Sequence, residues 1–558
     1  MYDYIIVGGG SAGSVLAGRL TQDPTVRVAL LEAGPADNSV LIHCPAGLAL
    51  MAKFELNGWG YNTVPQPGLN GRRGYQPRGK VLGGSSSINA MVYARGHATD
   101  YDAWAARGNP GWSYADVLPY FKRAEHNERG ADALHGQGGP LNVMDLRSPN
   151  PFLSAFIQAG KQAGYRHNPD FNGPEQEGIG AYQVTHKNGE RWSAAKGYLT
   201  PHLGRSNLTM ITHALTTRVI VDTRNGQRQA KGVEYRAEGG RGAMQALQLK
   251  PGGEVVLSAG AFGSPQLLML SGIGPAEHLR SHGISVVHEL PGVGDNLHDH
   301  PDVVIVVNAP KVSDLFGISA TGTLKLLRGI LEWRRARRGM LTTNFAEGGG
   351  FIKSAPDEAI PDLQWHFVVG KLVDHGRKTV LGHGYSCHVC LLRPKSRGTV
   401  RLASADPQVA PLIDPAFLKD PDDMARMVRG FKLTRQMLQQ DGLTRHGGTE
   451  SKASASAQSD SQIEQFIRNH ADTIYHPVGT CRMGHDDGAV VDARLRVHGV
   501  TGLRVVDASV MPQVVGGNTN APVIMMAEKA VDMIQEDRAA AASATAAPTT
   551  PQPMETTA

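Results

Sequence analysis

The chain alternates short apolar runs with glycine-rich breaks. Tyr4-Ile5-Ile6-Val7 is an apolar run rich in β-branched side chains, the pattern of a buried strand. Gly8-Gly9-Gly10-Ser11-Ala12-Gly13 follows at once, and residues 14–20 then carry apolar side chains at helical spacing. A second apolar run, residues 26–31, ends on Glu32, nineteen residues past Gly13. Strand, Gly-x-Gly-x-x-Gly, helix, strand and acid, in that order, predict a dinucleotide-binding unit. Gly8 permits the tight turn, Gly10 lets a pyrophosphate approach the backbone, and Gly13 lets helix and strand pack closely. The unpaired N–H groups of the helix start suit phosphate, and Glu32 suits a ribose hydroxyl. The glycine pattern alone leaves open which dinucleotide is bound.

Residues 35–74 read as loop. Residues 77–91 are small, polar and glycine-rich, flanked by apolar Val81, Leu82, Ile88 and Met91. That pattern predicts a loop whose backbone N–H and hydroxyl groups face a large polar ligand. Residues 101–126 read as a helical pair around Trp104, Trp112 and Tyr120. Strands are expected at 208–222, 232–236 and 254–258. A helix is expected from Ser264-Pro265, a capping hydroxyl followed by proline, to Gly272 and Gly274. Alternating runs at 363–369, 385–392 and 398–402 predict a second sheet, and 421–440 an amphipathic helix. Residues 451–461 are serine-rich and read as an exposed loop. The last strand, 503–506, ends on Asp507. Residues 539–558, mostly Ala, Thr and Pro, read as a disordered tail.

Composition narrows this. The 558 residues can bury a large core, and a net charge of +5 implies no nucleic-acid footprint. Four cysteines (Cys44, Cys387, Cys390, Cys481) make no disulfide framework and suit a reducing cytoplasm. The first strand leaves no room for a signal peptide, and no run of about 18 uncharged apolar residues predicts a membrane span. Cys387-His388-Val389-Cys390 has metal-like spacing, but strand residues three apart face opposite sides, so no metal is expected.

Several motifs together resemble the glucose–methanol–choline (GMC) oxidoreductase family over residues 1 to about 536. Residues 79–89 look like its first signature and 260–274 its second, ending Ser271-Gly272-Ile273-Gly274. Residues 294–301 (Gly-Asp-Asn-Leu-His-Asp-His-Pro) look like its interdomain turn. Residues 475–484 and Asn518-Thr519-Asn520-Ala521-Pro522 look like its active-site segments. Within the family the nearest similarity is to bacterial quinone-linked alcohol dehydrogenases of alkane degradation, then to choline dehydrogenases. The resemblance implies FAD rather than NAD. The expected class is α/β, α+β overall, with a Rossmann-like FAD-binding domain and a sheet-based substrate-binding domain. The FAD domain is expected at 1–40, 75–105, 200–310 and 471–536, cofactor-covering segments at 41–74 and 106–199, and the substrate domain at 311–470.

The resemblance also assigns residues. His476 is the expected base for the hydroxyl proton, with the hydride going to flavin N5. Asn518 is expected to position the substrate oxygen, with Asn520 its rival or a helix cap beside Ala521-Pro522. A helix starting there would aim its positive end at the flavin pyrimidine. Cofactor contacts are expected from Gly8, Gly10, Ser11, Ala12, Gly13, Glu32, Ala33, Gly83, Ser86, Asn89, Ala90, Met91, Val92, Asp507, Ala508, Asn520 and Ala521, with Val219 meeting the adenine. Ile88 stands where some relatives carry a flavin-linking histidine, so FAD is expected to be non-covalent. Glu347 matches a pocket acid of choline-oxidising relatives, and Tyr475 is expected in the substrate pocket.

The expected reaction is oxidation of primary, medium-chain aliphatic alcohols to aldehydes with a quinone-type acceptor. A choline dehydrogenase and a hydroxynitrile lyase are the alternatives. Residues 321–338 mix leucines with arginines. They read either as a helix with a solvated basic end or as a membrane-surface patch on a cytoplasmic enzyme. Oligomeric state is open.

Overall fold

A computed structural model describes residues 1–546. Its first sheet is built on the amino-terminal run. In spatial order the strands are Leu208–Ile211, Val28–Leu31, Tyr2–Val7, Met244–Leu257, Gln227–Arg236 and Leu215–Arg224, with Leu503–Val505 also paired to Met244–Leu257. The long strand Met244–Leu257 joins two sheet types. Its first half pairs antiparallel with Gln227–Arg236, and its second half pairs parallel with Tyr2–Val7 and Leu503–Val505. Parallel strands are covered on both faces, which is why Ile5, Ile6, Val255 and Val256 are fully buried and the runs read as continuously apolar.

The second sheet is antiparallel: Thr449–Glu450, Pro301–Asn308, Gly382–Leu391, Leu363–Val368, Ala346–Ile352 and Gly178–Ala181. Its period-two alternation separates two environments. Leu363, Trp365, Phe367, Cys387 and Val389 pack with Phe156, Met427 and Phe431 from the helices Phe152–Gln162 and Pro421–Leu438. Gln364, His366, Val368 and His388 take the other face.

Several boundaries differ from the sequence expectation. The second sheet recruits two strands that lie outside 311–470: Gly178–Ala181 at its edge, and Pro301–Asn308 between Thr449–Glu450 and Gly382–Leu391. The helix expected from Ser264 begins four residues earlier (Gly260–Leu270), and the Ser264 hydroxyl bonds Asp507 rather than capping. Within 451–461, Lys452–Ala455 is helical and Ser454 is buried. The expected tail is helical through its first residues, since the last helix runs Asn520–Ala546; residues 547–558 lie outside the described residues.

That helix is tied to the first one, Ser11–Leu20, by a buried carboxylate. Glu528 accepts from Arg19 at 2.7 Å, from Arg123 at 2.9 Å and from the Tyr198 hydroxyl at 2.7 Å, and its side chain has no exposure. Replacing Glu528 with Ala should cost about 3–5 kcal/mol, the scale for stripping one partner from a buried pair. Glu464→Ala, which removes a half-exposed pair with Arg468, should cost less than about 1 kcal/mol. Thermal unfolding of the flavin-loaded protein compares them, and equal shifts in Tm would defeat the assignment.

Candidate active site

One cavity of ≈ 1620 Å³ is bounded by residues of both sheets. Pockets for one small ligand run to about 300–1,000 Å³, so this one has room for a large cofactor and a substrate. At its first end two glycine loops cross. Gly8 has φ +102°, and a Cβ there would lie 2.5 Å from the Ser258 carbonyl oxygen. A Cβ on Gly13 would meet the Gly8 oxygen at 1.9 Å, and one on Gly84 would meet Gly10 Cα at 2.7 Å. Only bare backbone permits these approaches.

Glu32 closes this end. Its two carboxylate oxygens accept the N–H groups of Gly9 at 2.9 Å and Gly34 at 2.8 Å. Burial pushes its carboxyl up to about 7 against those bonds. Thr216 Oγ1 and Ser258 Oγ are buried on the wall without a protein partner. Orphaned hydroxyls, an acid with spare lone pairs and two helix starts (Ser11 and Asn520) form a donor and acceptor set that fits FAD.

Gly8, Gly10, Ser11, Ala12, Glu32, Ala33, Asn89, Ala90, Met91, Val92, Asp507, Ala508 and Asn520 lie on the cavity wall. Gly13, Gly83, Ser86 and Ala521 lie behind it. The Gly83 N–H donates to the Gly9 oxygen at 2.7 Å and Ser86 Oγ to the Gly83 oxygen at 2.6 Å, so these two shape the loop rather than face the ligand. The Val219 N–H donates to Ser271 Oγ at 2.8 Å, and Thr216, three residues earlier, lines the cavity.

At the other end His476 and Asn518 meet. The Asn518 amide Nδ2 lies 3.2 Å from His476 Nε2, and Asn518 Oδ1 accepts from Gln364 Nε2 at 3.1 Å. An amide nitrogen only donates, so His476 Nε2 is the acceptor and Nδ1 carries the ring proton. Nδ1 stands 3.0 Å from His300 Nδ1, which accepts it. Asp299 fixes the backbone, taking the N–H of His476 at 2.8 Å and of His300 at 2.7 Å on one oxygen. Burial raises the Asp299 carboxyl to about 6. Burial, with His300, His366 and Arg78 nearby, holds the His476 ring well below its ordinary value, so it is neutral. Burial takes His300 and His366 down to about 3.

Glu347 is buried and accepts from Thr343 Oγ1 at 2.6 Å, while its neighbour Ala346 lines the cavity. Tyr475 is on the wall. Sequence reasoning assigned no role to Asp299, His300, Gln364, His366 or His388, yet His366 and His388 face one another across paired strands and line the cavity. The one available signal was the polar run His298-Asp299-His300.

Comparison with known proteins agrees with this architecture. The GMC oxidoreductase family models match residues 2–302 and 394–527. The chain is 48% identical to an alcohol dehydrogenase [acceptor] of Pseudomonas putida over 535 residues, covering 96% of each. It is 46% identical to the mitochondrial choline dehydrogenase of Homo sapiens, covering 96% of this chain and 90% of that one. The crystal structure of pyridoxine 4-oxidase from Mesorbium loti superposes with a TM-score of 0.84 at 31% identity, covering 96% of this chain and 99% of that one. With the glycine loops, Glu32 and the His476–Asn518 pair all on one wall, the chain belongs to the GMC oxidoreductase family and binds FAD.

Proposed function

We propose that this enzyme oxidises primary, medium-chain aliphatic alcohols to aldehydes, with FAD held non-covalently and a quinone as electron acceptor. One observation carries the substrate reading. Among the described residues, the only acids on the cavity wall are Glu32 and Asp507, both at the cofactor end. Every other charged side chain there is basic: Lys53, Arg78, Lys80, Lys325, Arg334, Arg337, Lys371 and Lys378. A quaternary ammonium finds no carboxylate and a repulsive wall, while an alkyl chain finds Leu50, Phe54, Leu326 and Ile330. Glu347, the acid that could hold choline, is behind the wall. Ile88, on the wall, offers no atom for a covalent flavin link.

In the proposed step a hydroxyl inserts between Asn518 and His476. It accepts from Asn518 Nδ2 and donates to His476 Nε2, replacing their 3.2 Å contact. Gln364 orients the Asn518 amide, and His300 and Asp299 orient the imidazole. When bound, the flavin supplies the hydride acceptor.

The mouth of the cavity supports contact with a membrane surface, as befits a cytoplasmic enzyme using a lipid-soluble acceptor. Helix Ala320–Ala336 exposes Leu324, Leu327 and Leu331, and Ile318, Leu381 and Phe54 are exposed nearby in the chain segments that form the mouth. Arg334 and Lys378 stand among them, while Lys325 is paired with Asp314. Leucines beside bases suit an anionic interface. No helix of the described residues is long and apolar enough to cross a membrane.

Anaerobic mixing with 1-octanol should bleach the flavin absorbance, and choline should not; bleaching by choline alone would favour the alternative, and by no alcohol the lyase. His476→Gln should slow octanol-driven bleaching about 100- to 10,000-fold, the range for a lost general base. Because the His476 ring is held below 6.5, the acid limb of the wild-type bleaching rate should fall below pH 6.5. A limb above that pH counts against His476 as the titrating base. Vesicles containing anionic lipid should sediment the enzyme in low salt and release it in high salt; equal sedimentation with neutral vesicles speaks against the membrane surface.

A further inference from the structure

Three side chains on and behind the cavity wall take no part in the alcohol step. The Tyr475 hydroxyl lies 2.7 Å from His375 Nδ1, and His375 Nε2 lies 3.0 Å from Asp472 Oδ2. Tyr475 and His375 line the cavity, and Tyr475 directly precedes His476. Asp472 stands at the outer end, its side chain 17% exposed. The chain of groups therefore connects cavity to solvent.

The backbone is bent to make this contact. Asp374, His375 and Gly376 have φ of +50°, +55° and +83°, and Tyr475 has φ +79°. Non-glycine residues in the left-handed region persist where their surroundings over-determine them, and they cluster at functional sites. The Tyr75 ring meets His375 edge-on at 5.8 Å, with Arg377 over Tyr75, and Arg78 donates to the Tyr475 carbonyl oxygen at 2.6 Å. The phenol and the imidazole are held from both sides.

An acceptor has to reach the same flavin edge as the alcohol. The second cavity, ≈ 460 Å³, opens beside Ala33 and Gly34 at the dinucleotide end. The large cavity reaches His476 and carries Tyr475 and His375 on its wall, so it can admit both molecules in turn.

We propose that Tyr475, His375 and Asp472 form the headgroup site of the quinone acceptor, with the Tyr475 hydroxyl donating a proton to a quinone carbonyl oxygen. This rests on the quinone reading above. A quinone becomes a quinol by gaining a hydride equivalent, from the cofactor reduced by the alcohol, and one proton. The O–H bond of Tyr475 breaks as the quinol O–H forms. His375 Nδ1–H restores the phenol proton, and water at Asp472 restores His375. When both His375 nitrogens donate, one to Asp472 and one to the Tyr475 oxygen, the phenol proton is left directed at the cavity. Tyr475 touches the acceptor; His375 and Asp472 are positioning residues.

The test separates the two half-reactions of the holoenzyme. Flavin reduced by octanol is mixed with a short-chain ubiquinone or with ferricyanide, which takes electrons without protons. Tyr475→Phe and His375→Gln should slow reoxidation by the quinone about 100-fold, the scale of a lost general acid. Reoxidation by ferricyanide should change far less, so the ratio of the two reoxidation rates moves. The wild-type solvent isotope effect on quinone reduction should disappear in Tyr475→Phe. Calorimetric titration with a non-reducible hydroxyquinoline should show about tenfold weaker binding in both variants. Asp472→Asn, the mildest change, should keep the flavin spectrum and lose part of the rate. Equal slowing with both oxidants, or none, overturns the site. If wild-type reduced flavin reacts with ferricyanide but with no quinone, the acceptor reading itself falls, and this site with it.

Discussion

The first and last helices lie side by side and point the same way. Ser11 Oγ donates to Asn520 Oδ1 at 2.7 Å at their starts, and eight residues further along each helix Arg19 bonds Glu528. Parallel alignment sets two positive helix ends beside one another, an arrangement that repels itself. Two things offset that repulsion. Glu528 locks the helices together about two turns beyond their starts, and an anion seated at the helix starts draws on both dipoles. Cofactor binding and the anchoring of the carboxy-terminal helix are therefore one problem. Any loosening of the Glu528 cluster is felt at Asn518 and Thr519, which immediately precede that helix.

The second constraint is the alternation of the antiparallel sheet. A strand presents successive side chains to opposite faces, so Leu363–Val368 gives Trp365 and Phe367 to the helical layer, His366 to the cavity, and Gln364 to the same side as His366. Gln364 then reaches Asn518, which belongs to the segment leading into the last helix. The His476–Asn518 pair proposed for catalysis is thus braced from a sheet in the middle of the chain, while its two members come from the carboxy-terminal quarter. That is how the site gains rigidity without resting on one loop.

Local pattern explains what could be read from the chain. The glycine turn, Glu32 and the His476 motif are contiguous, and each meets its partners through backbone placed by its own segment. Positions were hardest to read where a strand face had to be chosen. The register of Leu215–Arg224 shifts between Thr216 and Arg218, and that of Ala346–Ile352 between Ala346 and Gly348. A bulge changes which residues share a face, so the lining positions Thr216 and Ala346 do not follow from a regular alternation. His300 was hidden for another reason: it stands 176 residues from His476 in sequence, and no periodicity reports a contact of that range.

The acids on the wall lie at the cofactor end and bases crowd the mouth, with His366 and His476, both held neutral by burial, between. Burial and Arg78 disfavour an imidazolium at His476 in the resting site. A proton arriving at Nε2 is therefore met by two fixed features. The Nδ1–H bond to His300 shortens the reach of the new charge, and the Asp299 carboxylate holds the backbone N–H groups of both rings. In the proposed step the ring takes a hydroxyl proton as the hydride leaves, and the surroundings that disfavour the imidazolium favour release of that proton afterwards. A carboxylate on this part of the wall would hold the imidazolium and stall that release. Among the described residues no acid lines the cavity wall beside the His476 ring, which would serve turnover as well as substrate choice.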